Sequence, residues 1–225
     1  MPTFLTLTPN PALDLSTDTA QVVPTHKLRC GAVQRYPGGG GVNVARMLHR
    51  LGSGVQAWML AGGVAGAQLQ GLLAAEGVDT LCLSIAGDTR ENLSVLDRSS
   101  ALEYRFVLPG PALQAGEWQA CLERLAALAP TPRWWVASGS LPPGVPQDFY
   151  ARLARLARAR GSRLALDSSG PALAEALQAG VSLVKPSLRE LRELTGAALA
   201  EPAQWHAAAR ALVQDGRAEV VALSA

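Results

Sequence analysis

From Gln114 to Leu223 the chain alternates short apolar runs with longer amphipathic segments. The periodicity predicts helices over Gln114–Leu128, Pro146–Arg160, Ala172–Gln178, Leu188–Leu194 and Pro202–Gln214. It predicts strands over Trp134–Ala137, Arg163–Leu166, Ser182–Val184 and Glu219–Leu223. The N-terminal part follows the same plan, with strands Thr3–Leu7, Val55–Leu60 and Thr80–Ile85 and helices Val42–Leu51 and Ala65–Glu76. Strands separated by helices over connections of a few residues cannot form hairpins. They form a parallel sheet with helices on both faces, an α/β fold. One stretch breaks the plan. Asn92–Asp97 and Leu102–Leu108, joined by Arg98-Ser-Ser-Ala101, read as an antiparallel hairpin. Lys27–Tyr36 gives only a weak strand pattern.

Composition narrows the class. Hydrophobic residues are 48% of the 225 and charged residues 17%, so the chain can bury a sizeable core. A net charge of +2 lacks the basic excess of a nucleic-acid or membrane-surface binder. The three cysteines (Cys30, Cys82, Cys121) are odd in number and widely spaced, which speaks for a reducing cytoplasm rather than a disulfide framework. The three histidines show no metal-ligand spacing. Pro9, Asn10, Pro11 and Asp14 break any signal-peptide core. The uncharged stretch Leu51–Ala75 is divided by Gly62-Gly63 and does not read as a membrane span. Arg152, Arg155 and Arg158 form a basic stripe expected on a solvated helix face, and Trp134 and Trp135 are expected to pack between layers.

In open α/β sheets, ligands bind beyond the C-terminal ends of the strands. Those positions here are Thr8-Pro-Asn-Pro-Ala-Leu-Asp14, Ser138-Gly-Ser-Leu-Pro-Pro-Gly144, Asp167-Ser-Ser-Gly170, Lys185-Pro-Ser and Ser224. They bring two carboxylates, a lysine, hydroxyls and glycine turns to one mouth, a set suited to a polar, anionic ligand. The run Gly38-Gly39-Gly40-Gly41 opens a helix, where free backbone N–H groups and the helix dipole favour an anion. It is not a dinucleotide fingerprint, because Asn43 stands where a third glycine is needed, and no Gly-Lys-Ser/Thr follows. Two readings are open for it, a flexible turn or a ligand loop, and Asn43 in the first helical turn favours the second. Asp167 is open between helix cap and ligand. Lys185 is open between snorkelling surface residue and ligand.

These residues resemble a known family. Asn10-Pro-Ala-Leu-Asp14, Pro37-Gly-Gly-Gly-Gly-Val-Asn-Val-Ala-Arg46, Thr89-Arg-Glu-Asn92, Ser138–Gly144, Asp167–Gly170 and Lys185-Pro-Ser-Leu-Arg-Glu190 look like the ordered motifs of the PfkB (ribokinase-like) sugar kinases. Within the family, Lys27-Leu-Arg-Cys30 and Tyr104-Arg-Phe-Val-Leu-Pro-Gly110 are similar to the phosphofructokinase branch, in its minor bacterial ATP-dependent form.

The resemblance implies a ribokinase-like α/β domain over the whole chain with a small antiparallel β lid, inserted at about residues 13–36 and 88–109, that also forms a homodimer. It implies transfer of phosphate from ATP to fructose 6-phosphate with Mg²⁺, in the cytoplasm. Fructose 1-phosphate and tagatose 6-phosphate are the alternative substrates. For the sugar phosphate it implies Asp14, Lys27, Gly39, Gly40, Asn43, Arg90, Arg105, Ser138, Gly139 and Ser140, with arginine suited to phosphate by its planar fork. For the nucleotide it implies Lys185, Ser187 and Ser224, and for the metal ion Asp167 and Glu190. Two departures stand out. The family's Asn-x-x-Glu reads Ser187-Leu-Arg-Glu190 here, and its late Gly-Ala-Gly-Asp motif, which carries the catalytic base, is absent from the 225 residues. The expectation is a family member lacking its C-terminal part and inactive by itself. The rival expectation is a non-catalytic sugar-phosphate-binding or dimerising fragment.

Overall fold

The structure, a computed structural model, describes residues 2–224. Among them, β1 (Phe4–Thr8), β4 (Val55–Ala61), β5 (Asp79–Ser84), β8 (Trp134–Ser138), β9 (Arg163–Asp167), β10 (Val181–Val184) and β11 (Ala218–Val221) make one sheet. Its order is β11-β10-β9-β8-β1-β4-β5, and every pairing is parallel. The strand pattern decides how it is covered. Along β4, Ala57, Met59 and Ala61 enter one core with Val42, Ala45, Leu69 and Leu73, while Trp58 and Leu60 enter the other with Phe149, Tyr150 and Trp135. So α1 (Gly40–Arg50) and α2 (Gly63–Ala75) cover one face, and α3 (Ala115–Ala127), α4 (Phe149–Ala159) and α5 (Gly170–Ala179) help cover the other. α6 (Leu188–Thr195) and α7 (Pro202–Gln214) continue the second layer through Leu191 and Leu212. Each fully buried leucine contributes about 1.5–3 kcal/mol by leaving water. Trp135 is core and Trp134 half-buried, and the Arg152, Arg155 and Arg158 stripe lies on the exposed side of α4. Among the described residues no helix is long and apolar enough to cross a membrane.

The second sheet corrects the sequence reading. It has four strands, β3-β2-β6-β7, formed by β2 (Ala12–Thr19), β3 (Gln34–Gly38), β6 (Arg90–Asp97) and β7 (Leu102–Phe106). β2 is a strand where the sequence reading has a loop, and it pairs with β6 in parallel, Asp14 opposite Asn92. The small sheet is therefore mixed, not antiparallel; only β2–β3 and β6–β7 run antiparallel. The weak strand read over Lys27–Tyr36 shrinks to Gln34–Gly38, with Cys30 making an isolated bridge to Thr19.

Strand order reverses between β1 and β8: the chain steps from β1 to β4 and β5 on one side, and from β8 to β9, β10 and β11 on the other. Such a switch point leaves a crevice at the C-terminal strand ends, because the connections on its two sides diverge. The small sheet leaves the large one at that crevice, between Thr8 and Ala12.

Candidate active site

The crevice is filled first by backbone. Gly39 has φ +116°, a conformation that L side chains rarely adopt, and it turns the chain from β3 into α1. The glycines beside it are required by close approach. A Cβ on Gly38 would lie 2.2 Å from Asp14 Oδ2, and one on Gly40 would lie 2.0 Å from Ser138 Oγ. The run is thus a packed strap over the ends of β2 and β8, not a slack turn. It delivers α1 with no side-chain cap and no acidic residue in its first turn. The leading N–H groups of a helix have no intrahelical partner, so this end favours an anion or a hydroxyl oxygen.

The polar side of the small sheet faces the strap. Side chains directly opposite on paired strands share a face, which places Asp14, Asn92 and Tyr36 together, followed by Ser94 and Arg105. With Asn43, Arg46 and Glu103 they line a cavity of about 300 Å³. Asn92 Nδ2 donates to Asp14 Oδ1 at 2.8 Å, and Asn92 Oδ1 accepts the Leu108 N–H at 3.3 Å. Arg46 is held by Glu76, with Nε–Oε2 2.9 Å and Nη2–Oε1 2.7 Å, and its Nη1 reaches the Pro37 carbonyl at 3.4 Å. The Arg46 hydrogen bond lowers the Glu76 pKa from its ordinary value against the opposing effect of burial.

Arg90 opens β6 beside this cavity rather than in it, lining a separate hollow with Val64, Gln68, Asp88 and Thr89. Its Nη2 donates to the Asn10 carbonyl at 3.0 Å and its Nη1 to the Leu108 carbonyl at 3.2 Å. Burial lowers its pKa and the Asp14 charge opposes that shift; a guanidinium stays charged in either case. Ser140 is exposed and accepts a hydrogen bond from Asn10 Nδ2 at 3.3 Å. Ser138 is buried against the strap, so of the Ser138-Gly139-Ser140 turn the last two residues are reachable. Lys27 is exposed on the β2–β3 connection and does not line the cavity.

At the ends of β9 to β11 the structure builds a second cluster. Lys185 Nζ lies 3.3 Å from Asp167 Oδ2, both about half exposed. The Ser187 N–H donates to Glu190 Oε2 at 2.8 Å, and Ser187 Oγ accepts the Glu190 N–H at 3.3 Å, a reciprocal cap on α6. Ser224 bridges to this turn through its carbonyl and N–H. The two clusters meet at Gly139. Its N–H donates to the Asp167 carbonyl, and its own carbonyl accepts both Ser168 Oγ and the Tyr150 hydroxyl at 2.8 Å. Burial, first of all, pushes the Tyr150 pKa up and keeps that donor protonated. Among the described residues no three His, Cys, Asp or Glu side chains form a metal cluster. Mg²⁺ commonly takes one or two carboxylates and completes its shell with water and phosphate oxygens. Asp167 fits that use, whereas Glu190 is engaged as the cap of its own helix.

Three residues of the site were not singled out in the sequence. Asn10, Arg46 and Asn92 stood inside quoted motifs without a role. Alternation from Arg90 was the available signal for Asn92, since residues two apart on a strand share a face.

Comparison with known proteins gives the family and the fold. The pfkB family carbohydrate kinase profile matches residues 10–224. The ATP-dependent 6-phosphofructokinase isozyme 2 of Mycobacterium tuberculosis is 47% identical over 223 residues, covering 99% of this chain and 66% of that protein. The Escherichia coli isozyme 2 is 41% identical over 220 residues, covering 97% of this chain and 71% of that protein. A crystal structure of phosphofructokinase-2 from Escherichia coli in complex with fructose 6-phosphate superposes with a TM-score of 0.93 over 99% of this chain and 74% of that one. This chain therefore spans about two thirds to three quarters of the length of these relatives. The alignments cover nearly the whole chain, and the chain belongs to the pfkB family of carbohydrate kinases.

Proposed function

We propose that this chain carries the sugar-phosphate-binding part of a kinase that transfers the ATP γ-phosphoryl group to the C1 hydroxyl of fructose 6-phosphate. The observation that carries the reading is the convergence of Asp14, Asn43, Asn92 and Arg105 on one cavity between the small sheet and the start of α1. Asp14 accepts sugar hydroxyls, Asn43 supplies an amide, and the strap of Gly39 and Gly40 lets a ring approach the backbone. Arg90, Arg105, Gly139 and Ser140 take the phosphate already on the sugar, with Lys27 contributing from the β2–β3 connection. Lys185, Ser187 and Ser224, clustered beside Asp167, would take the nucleotide phosphates. Bound there, Mg²⁺ would neutralise phosphate charge, held chiefly through water, with Asp167, paired to Lys185 through one oxygen, as the carboxylate. The attacking hydroxyl needs a base. The resemblance puts that base in a motif these 225 residues do not contain, so the function assigned to them is recognition of the sugar phosphate. The exposed apolar residues of the small sheet fit a second copy of the chain. The three unpaired cysteines suit a reducing compartment, the cytoplasm.

Calorimetric titration of the 225-residue polypeptide with fructose 6-phosphate tests the reading. Binding is expected in the range of about 1 μM to 1 mM usual for enzyme substrates, with no ADP release in a coupled assay. Failure to bind at several times that concentration overturns the assignment. Turnover near ordinary kinase values, about 1–100 s⁻¹, would place a catalytic base among these residues.

A further inference from the structure

The chain passes between its two sheets four times: at Pro9–Pro11, at Gly39, over residues 85–89 and over residues 107–114. Asn10 touches three other parts of the chain there: the first residue of β6, the turn after β8 and the crossing over residues 107–114. Its carbonyl accepts Arg90 Nη2 at 3.0 Å, and its side-chain Nδ2 donates to Ser140 Oγ at 3.3 Å. Gly110 is pressed against its amide so closely that a Cβ there would lie 2.1 Å from Oδ1. Asn10 is only 6% exposed.

The surrounding residues explain why an asparagine side chain does this work. Pro9 and Pro11 flank it and offer no N–H, so the turn cannot be held by their backbone donors. The residue before a proline is driven to extended backbone, which suits the crossing from β1 to β2. Gly110 blocks the amide from swinging out, leaving its other end on Ser140. A hydroxyl can donate or accept, so the link to Ser140 holds in either orientation of the amide.

We infer that Asn10 is a positioning residue that fixes Ser140 and Arg90 relative to one another as the holder of the substrate's phosphate. The inference rests on the sugar-phosphate reading above and extends it to a residue that touches no substrate. Ser140 lies in the turn after β8 of the large sheet and Arg90 opens β6 of the small one. Asn10 therefore sets the spacing of two phosphate contacts that come from different bodies of the fold.

A double-mutant cycle on fructose 6-phosphate affinity tests it. Asn10→Ala is expected to weaken binding about tenfold, the scale of one lost hydrogen bond to a charged site. In a Ser140→Ala background the same change is expected to add less than about twofold, because the residue it acts through is gone. Full additivity of the two losses overturns the inference, as does unchanged affinity in Asn10→Ala. So does a loss that follows the drop in thermal midpoint equally in both backgrounds, which marks a merely structural asparagine. If Asn10→Ala does not fold, Asn10→Ser, too short to reach Ser140, takes its place in the cycle. A wild-type chain that does not bind fructose 6-phosphate overturns the functional reading and this inference with it. A wild-type chain that binds without coupling overturns this inference alone.

Discussion

A carboxylate that is to accept sugar hydroxyls must be held in one orientation, and two neighbours hold Asp14. Asn92 donates to Oδ1 at 2.8 Å, and the bare Cα of Gly38 backs the other oxygen. Gly38 does not have a positive φ, so alanine suits its backbone. The added methyl would meet the carboxylate at 2.2 Å. Gly38→Ala is therefore expected to keep the fold and to lower fructose 6-phosphate affinity by about tenfold or more, as one to two charged hydrogen bonds are misaligned. Titration checks the affinity and circular dichroism the fold. Undiminished affinity would remove Asp14 from the sugar site. At this scale the sequence was informative where the resemblance gave a motif residue a role, as with Asp14 and Asn43. It was silent on Asn10 and Arg46, whose roles arise from contacts with residues 130 and 30 positions away.

At the scale of elements the large sheet was legible because its strands are short apolar runs between amphipathic helices. β2 was not. Its inward and outward residues do alternate, Leu13, Leu15 and Thr17 against Asp14, Ser16 and Asp18. The two prolines before it and the strand-averse aspartates masked that period. Its parallel partner β6 lies 78 residues along the chain, beyond any local pattern. The small sheet is pinned at its far end by Asp97. Oδ1 accepts from the Ser99 hydroxyl at 2.7 Å and the Ser99 N–H at 2.8 Å, and Oδ2 accepts the Val22 N–H at 3.0 Å. The Ser99 hydroxyl first, then the Val22 N–H, pull its pKa down to about 2. The folded value lies below that of an unfolded aspartate, about 3.9, so this stabilisation is complete above about pH 4 and is lost as pH falls towards 2. Asp97→Asn puts an NH₂ among N–H donors and is expected to lower the thermal midpoint at pH 7. The gap between wild type and variant should then close as the pH is taken from about 4 to about 2. A gap that stays constant across that range would show that Asp97 is not held as a low-pKa carboxylate.

For the whole molecule, β7 joins two surfaces. Glu103 and Arg105 turn to the sugar cavity, Leu102 and Tyr104 turn away from it, and Phe106 at the end of the strand reaches the cavity rim, all three apolar residues exposed. Val107 and Leu108 extend the exposed apolar row to 64% and 51% of their surfaces. In the sequence this alternation gives a half-buried strand, but the same pattern serves a strand covered by its own core and one covered by another molecule. In the structure nothing of the described chain covers it, and a contiguous apolar patch of this kind on a folded protein marks an interaction surface. A second copy is the occupant that the proposed function favours, because it would bury this row while closing the open end of a sugar cavity lined by the same strand. A stable pair needs roughly 800 Å² from each partner, more than one short strand presents, so the β2–β3 connection with Leu28 and Val33 would have to join the interface. Tyr104→Glu places a charge at the middle of that surface, on a side chain that does not line the cavity. Wild-type chain is expected to sediment as a dimer at micromolar concentration and the variant as a monomer. The variant should also bind fructose 6-phosphate more weakly, because the strand carrying Arg105 loses its support. A monomeric wild type would leave the apolar row to another partner. A variant that turns monomeric with its sugar-phosphate affinity intact would separate the interface from the site and show that each protomer closes its cavity unaided.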